Sequence, residues 1–234
     1  MRPWYVANLE AFHEFQRSVE SKYPTLRVVV KNDVVYVRGG LILEAPDGRE
    51  LDRYSIEIQI PDDYPKSVPI VREVGGRLPK VADRHFNPAD DTACLFLRDE
   101  RYKYYSQGST IIDFIEGPVK DFFLWQTDYD LNKGKSSFEG RGHGVEGIIE
   151  FYSEKLKTKD ISVIVKFLDY LTAKKVKKNW KCYCGSGKQL RYCHIDKLNN
   201  LRAKILRHDA KKSLAQVRDL REYIKSRKFR AFKE

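Results

Sequence analysis

The chain has 234 residues, 41% of them hydrophobic, enough for one ordinary domain with an appendage or for two modest domains with packed cores. No run of eighteen apolar residues occurs, which excludes a transmembrane helix of that kind, and Met1-Arg2-Pro3-Trp4-Tyr5 lacks the apolar stretch of a secretory signal, so a cytoplasmic protein is expected. The net charge of +11 is unevenly placed: residues 1–150 carry 20 Lys and Arg against 25 Asp and Glu, and residues 151–234 carry 24 against 8. A faintly acidic body with a strongly basic tail predicts different partners for the two parts.

Apolar residues Trp4, Leu9, Phe12, Phe15 and Val19 recur at helical spacing, predicting a helix over residues 4–22. Three strand-like stretches follow, at residues 26–37, 40–45 and 54–60. Their separators are Arg38-Gly39-Gly40 and Pro46-Asp47-Gly48, both hairpin-grade turn signals. A fourth strand is expected over 69–74. The order, a helix and then an antiparallel meander, predicts an α+β fold with a four-stranded sheet and flanking helices. Helical spacing returns over 111–125. Residues 133–147 hold five glycines and little to pack, the composition of a mobile surface loop. Helices are expected over 145–156, 161–178 and 195–228.

Three of the four cysteines crowd into Cys182-Tyr183-Cys184-Gly185-Ser186-Gly187-Lys188-Gln189-Leu190-Arg191-Tyr192-Cys193-His194, and Cys94 stands apart. In a reducing compartment such a cluster reads as a metal site before it reads as disulfides. Three thiolates and one imidazole form a tetrahedral zinc set with no open position, so Cys182, Cys184, Cys193 and His194 are expected to hold a structural zinc. One disulfide with spare thiols is the competing reading.

The string Cys-x-Cys-Gly-Ser-Gly-Lys, closed five residues later by Cys-His, resembles the SEC-C motif found at the C-terminus of the SecA translocase and on many bacterial proteins. That resemblance implies zinc binding and a docking role toward other macromolecules.

The middle of the chain carries a second resemblance. Pro61-Asp62-Asp63-Tyr64-Pro65, with Pro69 beyond it, is similar to a strand connection of ubiquitin-conjugating enzymes. His85-Phe86-Asn87 resembles that family's His-Pro-Asn signature, with Phe86 in the place of proline. Cys94-Leu95-Phe96-Leu97 falls where the family has its active-site cysteine, at a gap about one residue shorter than usual. The likeness covers roughly residues 5–125 and implies a divergent bacterial conjugating-enzyme-like domain. It further implies an anti-phage or conjugation operon. There, relatives accept a ubiquitin-like protein from an activating enzyme, or join the C-terminus of a cGAS-like nucleotidyltransferase to a target.

The chemistry this implies can be stated in residues. Cys94 would carry an acyl group as a thioester and pass it to an amine, which requires a reachable thiol on firmly held backbone. Asp90 and Asp91 precede it, and their charge disfavours a thiolate, which argues against a cysteine peptidase. Asn87 is the candidate oxyanion donor or loop holder, following the asparagine of the family signature. His85 and Asp91 are read as structural at the site. His143, in the glycine-rich loop, is a candidate proton acceptor, or else a solvated loop residue.

Between the cations of the tail, Leu198, Leu201, Ile205, Leu206, Leu214, Val217, Leu220 and Ile224 keep a helical period. This predicts a helix packed on one face, with a surface for an acidic protein partner, or for nucleic acid, on the other. The chain divides into a conjugating-like domain at 1–130, a glycine-rich loop and closing helix at 131–160, and a basic helical region at 161–234. The expected function is that of a thioester-forming acyltransferase. A catalytically inert adaptor of the same fold, docking through the zinc module, and a cysteine peptidase using Cys94 and His143 are the alternatives.

Overall fold

A computed structural model describes residues 3–106, 108–136, 142 and 144–231, with side chains to residue 224. It is a mixed α+β structure in two compact units. One unit comprises residues 1–96 and 103–140, the other residues 97–102 and 141–234. His143 lies outside the described residues.

The first unit begins with a single turn, α1 (Trp4–Ala7), and a longer helix, α2 (Leu9–Lys22). The expected continuous helix is divided at Asn8, whose side chain accepts a hydrogen bond from the Ala11 N–H and so caps α2. The sheet is β1 (Leu26–Lys31), β2 (Val34–Glu44), β3 (Glu50–Ile60) and β4 (Ile70–Glu73), antiparallel throughout in that order. The first hairpin turns at Asn32-Asp33, both left-handed (φ 50° and 59°), between the paired residues Lys31 and Val34. That two-residue turn matches the sheet's twist, and Asn and Asp tolerate the conformation. Gly39-Gly40, expected to separate strands, instead lies inside β2. Gly39 (φ 143°) is there because a Cβ would fall 2.1 Å from the Thr25 carbonyl oxygen.

Period-two burial makes the inner face. Val28, Val37, Ile58 and Val71 pair in one row across all four strands, and all four are buried. Phe15 and Val19 of α2 join the same core, together with a helical segment built of α4 (Ile111–Phe114), a π turn at Ile115–Val119 and α5 (Lys120–Leu131). Thr110 and Asp113 close a capping box at its start, and Pro118, without an N–H, falls inside the π turn. Tyr54 packs at a tilt on Phe123 (4.7 Å between rings), and its hydroxyl meets Thr127 Oγ1 at 2.9 Å. After β4, buried Glu73 accepts from the Gly75 N–H (2.7 Å) and pairs with Lys80, fixing the loop that leads onward. That loop ends at a two-stranded ribbon of β5 (Phe86–Asn87) and β6 (Thr92–Ala93).

The second unit takes in the short helix α3 (Arg101–Tyr104) only at its start. It is otherwise built of α6 (Gly144–Leu156), α7 (Ile161–Thr172), α8 (Ile195–Lys204) and α9 (Arg207–Ala231). Ile148, Phe151, Ile164, Phe167, Leu168, Leu198, Leu214 and Val217 form its core, and Cys182, Tyr183 and Leu190 belong to that core too. The long helix expected over 195–228 breaks at Ile205, which is extended (φ −92°, ψ 127°) and buried. The break brings two arginines to the end of α7. Arg202 donates to the carbonyls of Tyr170, Leu171 and Ala173 (2.7, 2.7 and 2.9 Å), and Arg207 to that of Thr172 (2.6 Å). Those are the carbonyls that a helix C-terminus leaves without partners, and cations suit its negative dipole end. Among the described residues no helix is long and apolar enough to cross a membrane.

Asp99 is buried in this unit, with the Ser213 hydroxyl donating to it. Burial, aided by the charges of Asp209 and Glu100 and opposed by the Ser213 and Tyr152 hydroxyls, pushes its carboxyl up from 3.8 to about 6. The fold therefore prefers the protonated form. That preference favours folding fully below pH 3.8 and fades as pH rises to about 6, beyond which roughly 3 kcal/mol has been lost. Urea unfolding of Asp99→Asn, compared with the parent chain at pH 4 and pH 7, should show a stability gap that widens by about that amount at the higher pH. A gap independent of pH would mean that Asp99 titrates alike in the folded and unfolded chain and that its burial does not favour the protonated form.

Candidate functional site

Two short ribbons carry the residues singled out in the sequence. The first holds Cys94. Phe86 pairs with Ala93 and Asn87 with Thr92, and the Cys94 N–H donates to the His85 carbonyl at 2.7 Å. His85 (φ 55°) enters the ribbon in the left-handed conformation, and Asp91 (φ 57°) closes its tip, its N–H on the Asn87 carbonyl at 2.9 Å. Cys94 is partly exposed at the open end, and none of the four cysteines is in a disulfide.

Asn87 and Cys94 lie on opposite strands, two positions apart in register. The Asn87 side-chain N–H donates to Thr92 Oγ1 (2.7 Å), and that hydroxyl donates to Asp90 Oδ1 (2.7 Å), which also receives the Thr92 N–H (3.2 Å). The amide, the hydroxyl and the carboxylate thus form a chain across the tip, with Asn87 as its first donor. Arg72 of β4 reaches the Asp90 carbonyl at 3.4 Å.

What holds the ribbon down comes from α5. Gln126, fully buried, donates its amide to the Arg84 carbonyl (2.7 Å), and Trp125 meets the His85 ring edge-on at 4.8 Å. Arg84 pairs with Asp130 and lies 4.7 Å over the Tyr129 ring. Phe86 is buried edge-to-face with Phe122 (5.3 Å), and the Lys80 ammonium lies 4.6 Å over its ring. On the far side, Leu95 and Phe96 pack on the same core, and Phe96 stacks on Tyr104 (5.2 Å, 17°). Gln126 and Trp125 are not legible as site residues in the sequence, because about forty positions separate them from the ribbon they fasten at Arg84 and His85. No local pattern signals that contact.

The second ribbon holds the Cys and His cluster. The Cys182 N–H donates to Lys188 O (2.8 Å), Lys181 bridges Gln189, and the Leu190 N–H reaches Trp180 O (2.7 Å). Gly185 and Gly187 (φ 81° and 76°) make the turn between. A turn of 3₁₀ helix at Leu190–Tyr192 then delivers Cys193 and His194, the residue before α8. One donor atom from each of Cys182, Cys184, Cys193 and His194 lies within 4.8 Å of every other. His194 Nδ1 stands 3.3 Å from Cys182 Sγ and 3.2 Å from Cys193 Sγ, and Cys184 Sγ is 3.6 Å from Cys193 Sγ. Ser186 Oγ lies 3.5 Å from Cys193 Sγ.

Burial pushes the Cys182 thiol up to about 12. At Cys184 burial acts in the same direction, but hydrogen bonds from Ser186, Cys182 and Cys193 outweigh it and bring the thiol to about 6. Three sulfurs this close cannot all hold negative charge in a partly buried site unless a cation sits among them. The four residues could hold a metal ion.

Compared with protein-family models, curated proteins and solved structures, the chain matches none.

The Asn87 amide supplies the first hydrogen bond of the Cys94 ribbon's tip. Asn87→Ala should cost about 1 kcal/mol and speed hydrogen exchange at the Asp91 and Thr92 amides, while the amides of β2 and β3 keep their protection. Unchanged exchange at the tip would show that the Asn87 side chain does not shape the loop.

Proposed function

We propose that this chain is an acyl carrier of the ubiquitin-conjugating type, with Cys94 as the thioester-forming residue and a SEC-C-like zinc module at 182–194. The observation that carries the proposal is the setting of Cys94. It is a partly exposed thiol beside a fastened two-rung ribbon, following a helix and a four-stranded meander. A thiol that must accept and release a large acyl group needs access on one side and rigidity on the other. Here Leu95, Phe96 and Phe86 supply the rigidity.

In the proposed reaction the Cys94 thiolate attacks the C-terminal thioester carbonyl of a donor protein. A new C–S bond forms, and the bond to the activating enzyme's sulfur breaks, that sulfur leaving as a thiolate. An acceptor amine then attacks the Cys94 thioester, loses a proton to a base and forms an amide, and Cys94 is regenerated. A ubiquitin-like protein handed on by an activating enzyme, or the C-terminus of a nucleotidyltransferase, suits the donor role. The same resemblance implies an anti-phage or conjugation operon.

One observation favours the adaptor reading. Asn87, the proposed oxyanion donor, uses its amide on Thr92. A second N–H remains on the same nitrogen, so loop holding and oxyanion stabilisation are compatible in this reading.

The test is an adduct with a ubiquitin-like donor presented as a C-terminal thioester. We expect a species reversed by thiol reductants, absent from Cys94→Ala, and converted in Cys94→Ser to an ester that resists them. An adduct that persists in Cys94→Ala would remove Cys94 from the reaction and leave the adaptor.

Zinc is the metal the four donors fit best. Three thiolates and an imidazole are its usual structural set, and bonds near 2.3 Å place tetrahedral sulfurs about 3.8 Å apart. When bound, the ion would neutralise the thiolates and tie the 180–190 ribbon to the start of α8. Because Cys182, Tyr183 and Leu190 share a core with α6 and α7, metal removal should loosen the whole second unit and not the ribbon alone. Protein purified with zinc present should carry one ion per chain. Chelation should then raise hydrogen exchange across α6 to α9 while β1 to β3 stay protected. A metal-free protein with the same exchange pattern would rule out a structural ion.

A further inference from the structure

The positive charge of the second half is not spread evenly in its function. Arg202 and Arg207 are spent on the end of α7, and Arg218 pairs with Asp169. The segment 170–195 is different: it holds Lys174, Lys175, Lys177, Lys178, Lys181, Lys188 and Arg191 and no Asp or Glu. All seven cations are exposed, and none is in an ion pair among the described residues.

The second ribbon gathers them. The Arg191 N–H donates to Lys178 O (3.0 Å), which brings these two stretches of backbone together. Lys181 bridges Gln189 while the Cys182 N–H reaches Lys188 O (2.8 Å), so Lys181 and Lys188 sit on facing stretches one position apart in register. Cations from two stretches of chain thus meet on one small element while Cys182 and Leu190, between them, point into the core. Like charges gathered on one short element repel, and those within a Debye length of one another, about 8 Å at physiological salt, create a concentrated positive potential.

An aromatic ring stands among them. Tyr192 is 71% exposed, on a turn whose neighbours Leu190 and Cys193 are held by the core and the Cys and His cluster. The Arg191 guanidinium lies 4.6 Å over its ring. Burial does not account for an exposed tyrosine here, and an acidic polypeptide would use the charges without using the ring. A cationic track beside an exposed aromatic face is the chemistry that holds phosphates and stacks unpaired bases.

We propose that the exposed cations and tyrosine of the 178–192 ribbon bind single-stranded nucleic acid without sequence preference. Lys178, Lys181, Lys188 and Arg191 contact phosphates, and Tyr192 stacks on a base. The site is independent of Cys94 and does not rest on the thioester reading.

The experiment is fluorescence anisotropy of the full chain with a labelled oligouridylate of about 15 nucleotides, repeated with the matching deoxythymidylate, a duplex of that length and a polyglutamate peptide. The chain should bind both single strands, more tightly than the duplex, with affinity falling steeply between about 50 and 200 mM salt. Tyr192→Ala should weaken binding by about fivefold to a hundredfold at unchanged melting temperature, since the ring packs on little. Lys181→Gln with Lys188→Gln should lower the salt slope by about 1.4, two phosphate contacts at 0.7 each. Lys211→Gln with Lys212→Gln, on α9, should leave affinity and slope alone. Equal affinity for the duplex, or no effect of Tyr192→Ala, would overturn the stacking site. Tighter binding of polyglutamate than of RNA would replace it with an acidic protein partner.

Discussion

A two-rung ribbon makes too few hydrogen bonds to fix a cysteine in space, so the position of Cys94 depends on what the ribbon is fastened to. The main fastening is one buried amide, Gln126, which satisfies the Arg84 carbonyl from a site closed to water. A buried hydrogen bond of that kind contributes modestly when made but is expensive to leave unmade. Around it, Trp125 on His85, Phe122 on Phe86 and Asp130 on Arg84 all come from the same helix. Helix α5 is thereby both the back wall of the core and the template for the segment before Cys94. This couples the packing of the first unit to the one thiol in it.

The second ribbon obeys the same constraint with different material. It is bridged at Lys181–Gln189 and sealed on its inner side by Cys182 and Leu190. Here the fastening is the cluster of four donor atoms, backed by Tyr183, whose ring meets Phe167 at 4.9 Å and His194 at 5.3 Å. Because those aromatics join ribbon, α7 and α8, the Cys and His cluster is part of the hydrophobic core of its unit and not an appendage to it. Lys178, Lys181, Lys188 and Arg191 stay exposed on the same short element.

The charge asymmetry has a similar division. Arginines at 202 and 207 look, in sequence, like two more members of a basic tail. In the structure they satisfy four carbonyls at the end of α7, which a break at Ile205 makes possible. Nothing local favours that break: Ile205 and Leu206 are neither glycine nor proline, and helical periodicity runs through them. Tertiary burial of Ile205 together with the demand of the α7 carbonyls overrides the local preference. The same competition moved the first hairpin turn. Gly39-Gly40 reads as a turn, yet the close approach of Thr25 explains that glycine, while Asn32-Asp33 makes the reversal.

The sequence by itself determined the α+β class, the four-stranded antiparallel meander and the grouping of Cys182, Cys184, Cys193 and His194. Each of these is written in short-range spacing: alternation for strands, 3.6-residue recurrence for helices, and ligands within thirteen residues of one another. Only the tertiary structure decided that Gln126 holds the Cys94 ribbon and that Asn87 turns its amide to Thr92. It alone showed that Arg202 and Arg207 are structural while Lys178, Lys181, Lys188 and Arg191 face water. Those outcomes depend on which distant groups are left with buried, unsatisfied hydrogen-bonding atoms once the core has closed. That balance exists only in the folded chain.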